Sequence, residues 1–138
     1  MFTDYSAAFW AIFVAILTLI VQGLVAATSK ASQPDAVPGK MNDSLSHSSF
    51  VFRSNRTFMN SLENFPAFLG SAVLAILVGA SFLWTAVFLW IFAIARIIHM
   101  ALYYAIATEK NPSPRSYFYL IALAANIALL ALCGFTLI

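Results

Sequence analysis

Four polar residues follow one another at helical spacing where a long apolar segment begins. They are Arg53, Arg56, Asn60 and Glu63. On a helix with 100° per residue, they fall within about a quarter turn of one another. Guanidinium and amide groups bind carboxylates, and a glutamate binds an ammonium group, so this stripe suits a small zwitterionic or anionic ligand. The simpler alternative is an ion pair of Glu63 with an arginine, which would only tie helices together.

A second polar face lies in the next apolar segment. Arg96, His99 and Tyr103 are spaced i, i+3 and i+7, so a helix presents them on one side. His99 lies about 12 Å and Arg96 about 16 Å from the end of that segment at 1.5 Å per residue, which is close to the depth of Glu63. A charged arginine at that depth needs a partner, and we expect Glu63 to be the partner of Arg96. His99 taken alone is typical of a structural histidine.

The last apolar segment opens with Arg115, Ser116 and, one turn later, Tyr119. Pro114 predicts that a helix begins at residue 114 or 115. Arg115 and the free N–H groups of that first turn would then favour an anion. The commoner role of a terminal arginine is to extend its charge to the membrane surface. Lys30 ends the first segment on the same side.

The composition indicates a membrane protein, because 62% of the 138 residues are hydrophobic and only 9% are charged. Soluble domains carry about a quarter charged residues. Four segments have the length of about 20 residues that a helix needs to cross lipid. They predict an all-α fold, a transmembrane four-helix bundle that forms a single membrane domain over 1–138. Open strands are excluded because every backbone N–H and C=O group in lipid must be hydrogen-bonded within the protein. The predicted spans are about 5–27, 56–78, 83–107 and 116–137, with loops at 28–52 and 108–114.

The basic residues predict the orientation. Both long loops carry or adjoin lysines and arginines, whereas both termini and the 79–81 turn have no lysine or arginine side chain. The positive-inside rule therefore places both loops in the cytoplasm and both termini outside. The first span lacks the basic start of a cleavable signal, so we expect it to be retained. The short chain favours a bacterial inner membrane over the endoplasmic reticulum.

Other classes of site are not indicated. The net charge of +2 gives no footprint for nucleic acid. The single cysteine, Cys133, excludes an internal disulfide, and its apolar surroundings predict a packing role. No metal-ligand spacing occurs, so no metal is expected.

The three polar stretches together favour one ligand chemistry. Arg53, Arg56 and Arg115 offer charge for carboxylates, and Glu63 offers charge for an amine. Asn60, Tyr103, Ser116 and Tyr119 offer hydrogen bonds for peptide groups. A short peptide with two carboxylates and one ammonium fits, and glutathione is the common cellular molecule of that kind.

These stretches also resemble a known family. The string Arg53-x-x-Arg56-x-x-x-Asn60-x-x-Glu63-x-x-Pro66-x-Phe68 resembles the signature of the MAPEG family, membrane-associated proteins in eicosanoid and glutathione metabolism. The run 95–103 and the motif Arg115-Ser116-x-x-Tyr119 resemble its third and fourth helices. The resemblance covers the chain from Arg53 onwards. Asn64 and the long 108–114 loop depart from the pattern of some relatives.

The resemblance implies a homotrimer that binds glutathione between subunits, close to the cytoplasmic face. It implies that Arg56, Asn60 and Glu63 bind the polar ends of glutathione and that Tyr103 and Tyr119 contact its backbone. Arg115, with Ser116, would face the sulfur and stabilise its thiolate toward a lipophilic small molecule arriving from the membrane lipids. The expected glutathione-binding set is Lys30, Arg53, Arg56, Asn60, Glu63, Arg96, His99, Tyr103 and Tyr119, and the expected catalytic set is Arg115 and Ser116.

Two other functions stay open on the sequence. A non-catalytic member of the same fold could keep the polar stripe for structure or for ligand binding. A small transporter is the weakest alternative, because the chain has no inverted repeat and no span broken by glycine and proline near its middle.

Overall fold

The computed structural model describes residues 3–138, which form four α-helices and, within that range, no strand. The helices are α1 (Ser6–Ala31), α2 (Phe50–Leu77), α3 (Phe82–Ala105) and α4 (Pro114–Leu137). The expected all-α four-helix bundle is therefore confirmed. Helix α2 begins at Phe50, before the predicted start of the second span at 56. Only the part of a helix inside the lipid core needs apolar side chains, so polar residues can extend α2 beyond that core.

Local chemistry sets the helix ends. Pro114 occupies the first turn of α4, where its missing N–H has no helical partner to lose. Ser113 precedes it as the N-cap residue, and the backbone N–H of Ser113 donates to the hydroxyl of Ser116 at 3.1 Å. Helix α2 ends before Gly79, whose φ of +70° is a conformation that glycine adopts without a Cβ clash.

Small side chains allow the helices to pack closely. Helices α1 and α4 do not contact each other, and each of them packs against both α2 and α3. Alanines dominate the buried positions, which lets the helix backbones approach as they do in membrane bundles. At the centre, the rings of Phe68 (α2) and Phe92 (α3) stack with their centroids 4.1 Å apart. Cys133 is a buried free thiol, as predicted.

Helices α1, α3 and α4 are long and apolar enough to cross a membrane. Their outward faces expose large apolar side chains such as Trp10, Phe13 and Ile127. Such surfaces suit lipid contact, and the chain is an integral membrane protein with several apolar helices. Helix α2 is outside this set because its first half is polar, so its crossing of the membrane stays a prediction.

The two ends of the bundle differ in chemistry. At one end, the Tyr5 hydroxyl donates to the carbonyl of Ala80, which joins the start of α1 to the short turn before α3. At the other end, the segments 32–49 and 106–113 meet, and His47 lies 3.5 Å from the Glu109 carboxylate. We call this second end the loop end; it carries most of the predicted polar residues.

Candidate functional site

Arg96 is among the most buried of the predicted site residues. Its side chain is 4% exposed, and its NH2 group donates to Oδ1 of Asn60 at 2.8 Å and to Oγ of Ser61 at 2.7 Å. Helices α2 and α3 are thus joined by a guanidinium that bridges an amide and a hydroxyl. Asn60 and Arg96, both predicted to belong to one site, are direct neighbours in the structure.

The expected Arg96–Glu63 ion pair is wrong, because the two partners of the guanidinium are neutral side chains. Glu63 is exposed, and it has no salt bridge within 4 Å among residues 3–138. The reason is the geometry of the helix, on which Glu63 lies about 60° around α2 from Asn60. The Glu63 carboxylate therefore lies beyond the edge of the α2–α3 contact.

Arg53 anchors the loop end through backbone carbonyls. Its NH1 group donates to the carbonyls of His47 at 2.8 Å and Ser48 at 3.0 Å, and its NH2 group donates to the Tyr104 carbonyl at 3.3 Å. One side chain of α2 therefore holds the first loop against the end of α3. Its Nε is buried without a partner.

Arg115 lies against the predicted third-helix face. The guanidinium carbon is 4.0 Å from the centroid of the Tyr103 ring, which is a cation–π contact. NH2 of Arg115 donates to the Thr108 carbonyl at 3.0 Å, while NH1 is buried and has no partner. The side chain predicted to face a thiolate thus lies beside Tyr103, with one nitrogen uncommitted.

His99 and Tyr103 complete the buried group on α3. His99 is 3% exposed, its ring meets Tyr103 edge-on with centroids 5.6 Å apart, and its Nδ1 is without a partner. The electrostatic neighbours of His99 are Arg96 and Arg115. Tyr119 of α4 is half-buried and near enough to Arg96 to interact with it electrostatically. Helices α2, α3 and α4 therefore all contribute to this inner cluster, which comprises Arg53, Asn60, Arg96, His99, Tyr103, Arg115 and Tyr119.

The inner cluster is rich in positive charge and poor in acid. The carboxylate of Glu109 lies beside His47, and none of Arg53, Arg96 and Arg115 has a carboxylate within 4 Å among the residues described. Each of these arginines also has at least one buried nitrogen without a hydrogen-bond partner. Buried cations are stabilised by anions or by well-placed acceptors. Chemically, the cluster is suited to bind carboxylates and to favour an anion over its neutral acid.

Arg56 and Glu63 form a separate outer pair on α2. Both side chains are exposed on the single chain, seven residues apart on one side of the helix. The predicted stripe is therefore divided: Arg53 and Asn60 face the bundle, whereas Arg56 and Glu63 face outward. An exposed charge toward lipid is costly, so a polar neighbour on this outward face would stabilise both side chains.

Lys30 and Ser116 make their contacts outside the inner cluster. Lys30 lines an open pocket of about 550 Å³ formed largely by the first loop. The Ser116 hydroxyl accepts the N–H of Ser113 and is 3.3 Å from the Ser113 hydroxyl, so it caps the start of α4. The capping role follows from the Ser113-Pro114-x-Ser116 order, in which the two serines stand three residues apart around the helix start.

His47 is a member of the site that the sequence analysis missed. Its Nε2 lies 3.1 Å from the Tyr103 hydroxyl, and its ring stacks on the Tyr103 ring at 5.9 Å between centroids. Its Nδ1 faces Glu109. The first loop has no periodicity that could have placed this histidine beside residue 103. Within residues 3–138, no three His, Cys, Asp or Glu side chains are grouped as metal ligands.

Comparison with known proteins gives one result. A model of the MAPEG family matches residues 7–135, which is nearly the whole chain. No curated protein and no solved structure matches it. The match extends the resemblance found in the motifs to the first helix and first loop.

Proposed function

The chain belongs to the MAPEG family, and from this premise we propose that it is a glutathione-dependent membrane transferase or peroxidase that works as a homotrimer. The observation that carries the proposal is the inner cluster, in which three arginines converge at the loop end without a carboxylate partner among the residues described. Glutathione brings two carboxylates to such a site, and its thiol is the nucleophile toward a lipophilic electrophile.

The outer pair supports binding between subunits. Arg56 and Glu63 have complementary charges for a carboxylate and an ammonium group, and both point away from their own bundle. A neighbouring subunit packed on this face would remove both charges from lipid and would bring its inner cluster toward them. Asn60 lies between the two sets on α2 and would contact the ligand from the same chain. Arg53 and Arg96 would contribute positive charge behind it, and His99 and the two tyrosines would contact the peptide groups.

Arg115 is proposed to favour the thiolate. A free thiol has a pKa near 8.5, so a nearby guanidinium raises the fraction of thiolate at neutral pH. Arginine keeps its own proton, so its role is to orient and stabilise the anion while the proton leaves to water. In a substitution, the sulfur forms a bond to carbon and the leaving group departs with the bonding electrons. Ser116 would act here through the helix start that it caps.

The loop end is proposed to face the cytoplasm. The basic residues of both loops lie at this end, and the positive-inside rule assigns such an end to the cytoplasmic side. Lys30 would add positive charge at the mouth of the site. A bacterial inner membrane is the proposed location, in which lipophilic substrates reach the site along the apolar faces of α1, α3 and α4.

A non-catalytic member of the same fold is the second candidate. It is favoured by the contacts that Arg115 already makes with Thr108 and Tyr103, which would suit a purely structural arginine. A conjugation assay with glutathione and an aromatic halide distinguishes the two candidates. The proposed enzyme forms the conjugate faster than the uncatalysed reaction. Glutathione binding without any rate increase supports the second candidate instead.

A further inference from the structure

A small cavity lies between α1, α2 and α3, next to the inner cluster. Its volume is about 10 Å³, which is the space that one water molecule needs. Most of its wall is apolar, and its polar lining consists of Gln22, Ser61, Arg96 and Thr18. The Thr18 hydroxyl is already committed to the Val14 carbonyl at 2.8 Å.

The polar atoms that line this cavity are incompletely bonded. Gln22 is 0% exposed, and neither its Oε1 nor its Nε2 has a partner. Nε and NH1 of Arg96 are buried and unpartnered as well, although NH2 is satisfied by Asn60 and Ser61. A buried polar group without a hydrogen bond is strongly destabilising, so native structures rarely leave four such atoms together.

We propose that this cavity binds one ordered water molecule, which bridges Gln22 and Arg96. The water accepts from an N–H of Arg96 and donates to Oε1 of Gln22, so it serves donors and an acceptor at once. An anion of similar size would satisfy only donors, and the amide of Gln22 carries an acceptor in either orientation. The cavity size and the mixed polarity of its wall therefore select water.

Gln22 thereby becomes a positioning residue, an inference that rests on the proposed function. Arg96 holds the Asn60 side chain, and Asn60 lies between the inner cluster and the outer pair. A hydrogen bond from Arg96 to the water holds the guanidinium in place, and with it Asn60. Gln22 would thus act on the ligand through Arg96 and Asn60, without touching the ligand itself.

A crystal or cryo-EM structure of the wild-type protein, at a resolution that shows ordered water, tests the site directly. We expect one density peak within about 3.2 Å of both Gln22 and Arg96. An empty cavity, or a direct Gln22–Arg96 hydrogen bond that closes it, would overturn the water site. So would an anomalous peak there after chloride is replaced by bromide, since it would identify an anion. This test does not need glutathione, so it stands even if the proposed function fails.

Three variants test the positioning role, with the glutathione Kd and the melting temperature measured on the same detergent-solubilised samples. Gln22→Leu should weaken glutathione binding about tenfold, whereas Gln22→Glu, which keeps an acceptor beside Arg96, should stay within about threefold of wild type. Thr18→Val is the matched control on the same wall, and its Kd should be unchanged. A Gln22→Leu protein with a lower melting temperature and a wild-type Kd would overturn the role. If Gln22→Leu does not fold, a Gln22→Glu protein that folds and binds at least tenfold more weakly overturns it as well.

Discussion

The guanidinium of Arg115 lies over the ring of Tyr103, with its central carbon 4.0 Å from the ring centroid. This contact joins the start of α4 to the end of α3 across the 106–113 loop. It places the arginine and the phenol, which are distant in sequence from the α2 stripe, at the same end of the bundle as Arg53 and Asn60. The site is therefore built around a stacked pair whose cationic member keeps one nitrogen uncommitted.

Two substitutions of Arg115 distinguish the effect of its charge from the effect of its planar shape. Arg115→Ala removes the stacking and the hydrogen bond to the Thr108 carbonyl, which should lower the free energy of unfolding by about 1–3 kcal/mol. It should also reduce the rate of conjugation about tenfold or more, because the cation proposed to stabilise the thiolate directly is then lost.

Arg115→Lys is the matched control, since it keeps the charge but loses the planar stack. It should retain more of the conjugation rate than Arg115→Ala at the same glutathione concentration. Equal rates for wild type and Arg115→Ala, measured with the aromatic halide, would remove Arg115 from the mechanism.

Removing His47 should loosen the first loop. His47→Ala loses the contacts with Tyr103 and Glu109, and then Arg53 alone ties residues 47 and 48 to the bundle. Limited proteolysis with trypsin should cleave the variant after Lys40 several-fold faster than wild type, because cleavage requires local opening.

Glu109→Gln is the control for that experiment, because it keeps the His47–Tyr103 contact and removes only the charge at the other ring nitrogen. Its cleavage rate should lie between those of wild type and His47→Ala. Indistinguishable rates for all three proteins would mean that His47 does not hold the loop.

The Phe68–Phe92 stack should dominate the packing of α2 against α3. Phe68 is 0% exposed, so Phe68→Ala leaves a cavity and should lower the free energy of unfolding by about 3–5 kcal/mol. Phe135→Ala, at a position 80% exposed near the end of α4, is the control and should change the stability little. Thermal unfolding in detergent measures both, and similar losses for the two variants would contradict this packing.

The helices and most of the site were predictable because their signals are local. The lengths of the apolar segments predicted the four-helix bundle, and Pro114 predicted the start of α4. The i, i+3, i+7 spacing placed Arg96, His99 and Tyr103 together on one face, and the structure brings them together. Such periodicities depend only on backbone geometry, which neighbouring residues determine.

The partners of the polar groups were not predictable from the same patterns. A stripe 80° wide on α2 straddles the edge of the helix contact, so spacing alone could not tell that Asn60 faces Arg96 and that Glu63 does not. His47 reaches Tyr103 through an aperiodic loop. Gln22 is itself a local signal, since a lone amide within an apolar span usually has a polar partner.

The most direct test of the account is glutathione binding by the outer pair, measured by isothermal titration of the detergent-solubilised protein. Wild type should bind glutathione as a trimer. Arg56→Ala and Glu63→Ala should each raise Kd at least tenfold, which corresponds to about 1.4 kcal/mol, without loss of the trimer. Lys110→Ala, an exposed loop cation, is the control and should bind as wild type does. Wild-type affinity in both outer-pair variants, or loss of their trimer when wild type shows no binding at millimolar glutathione, would contradict the account.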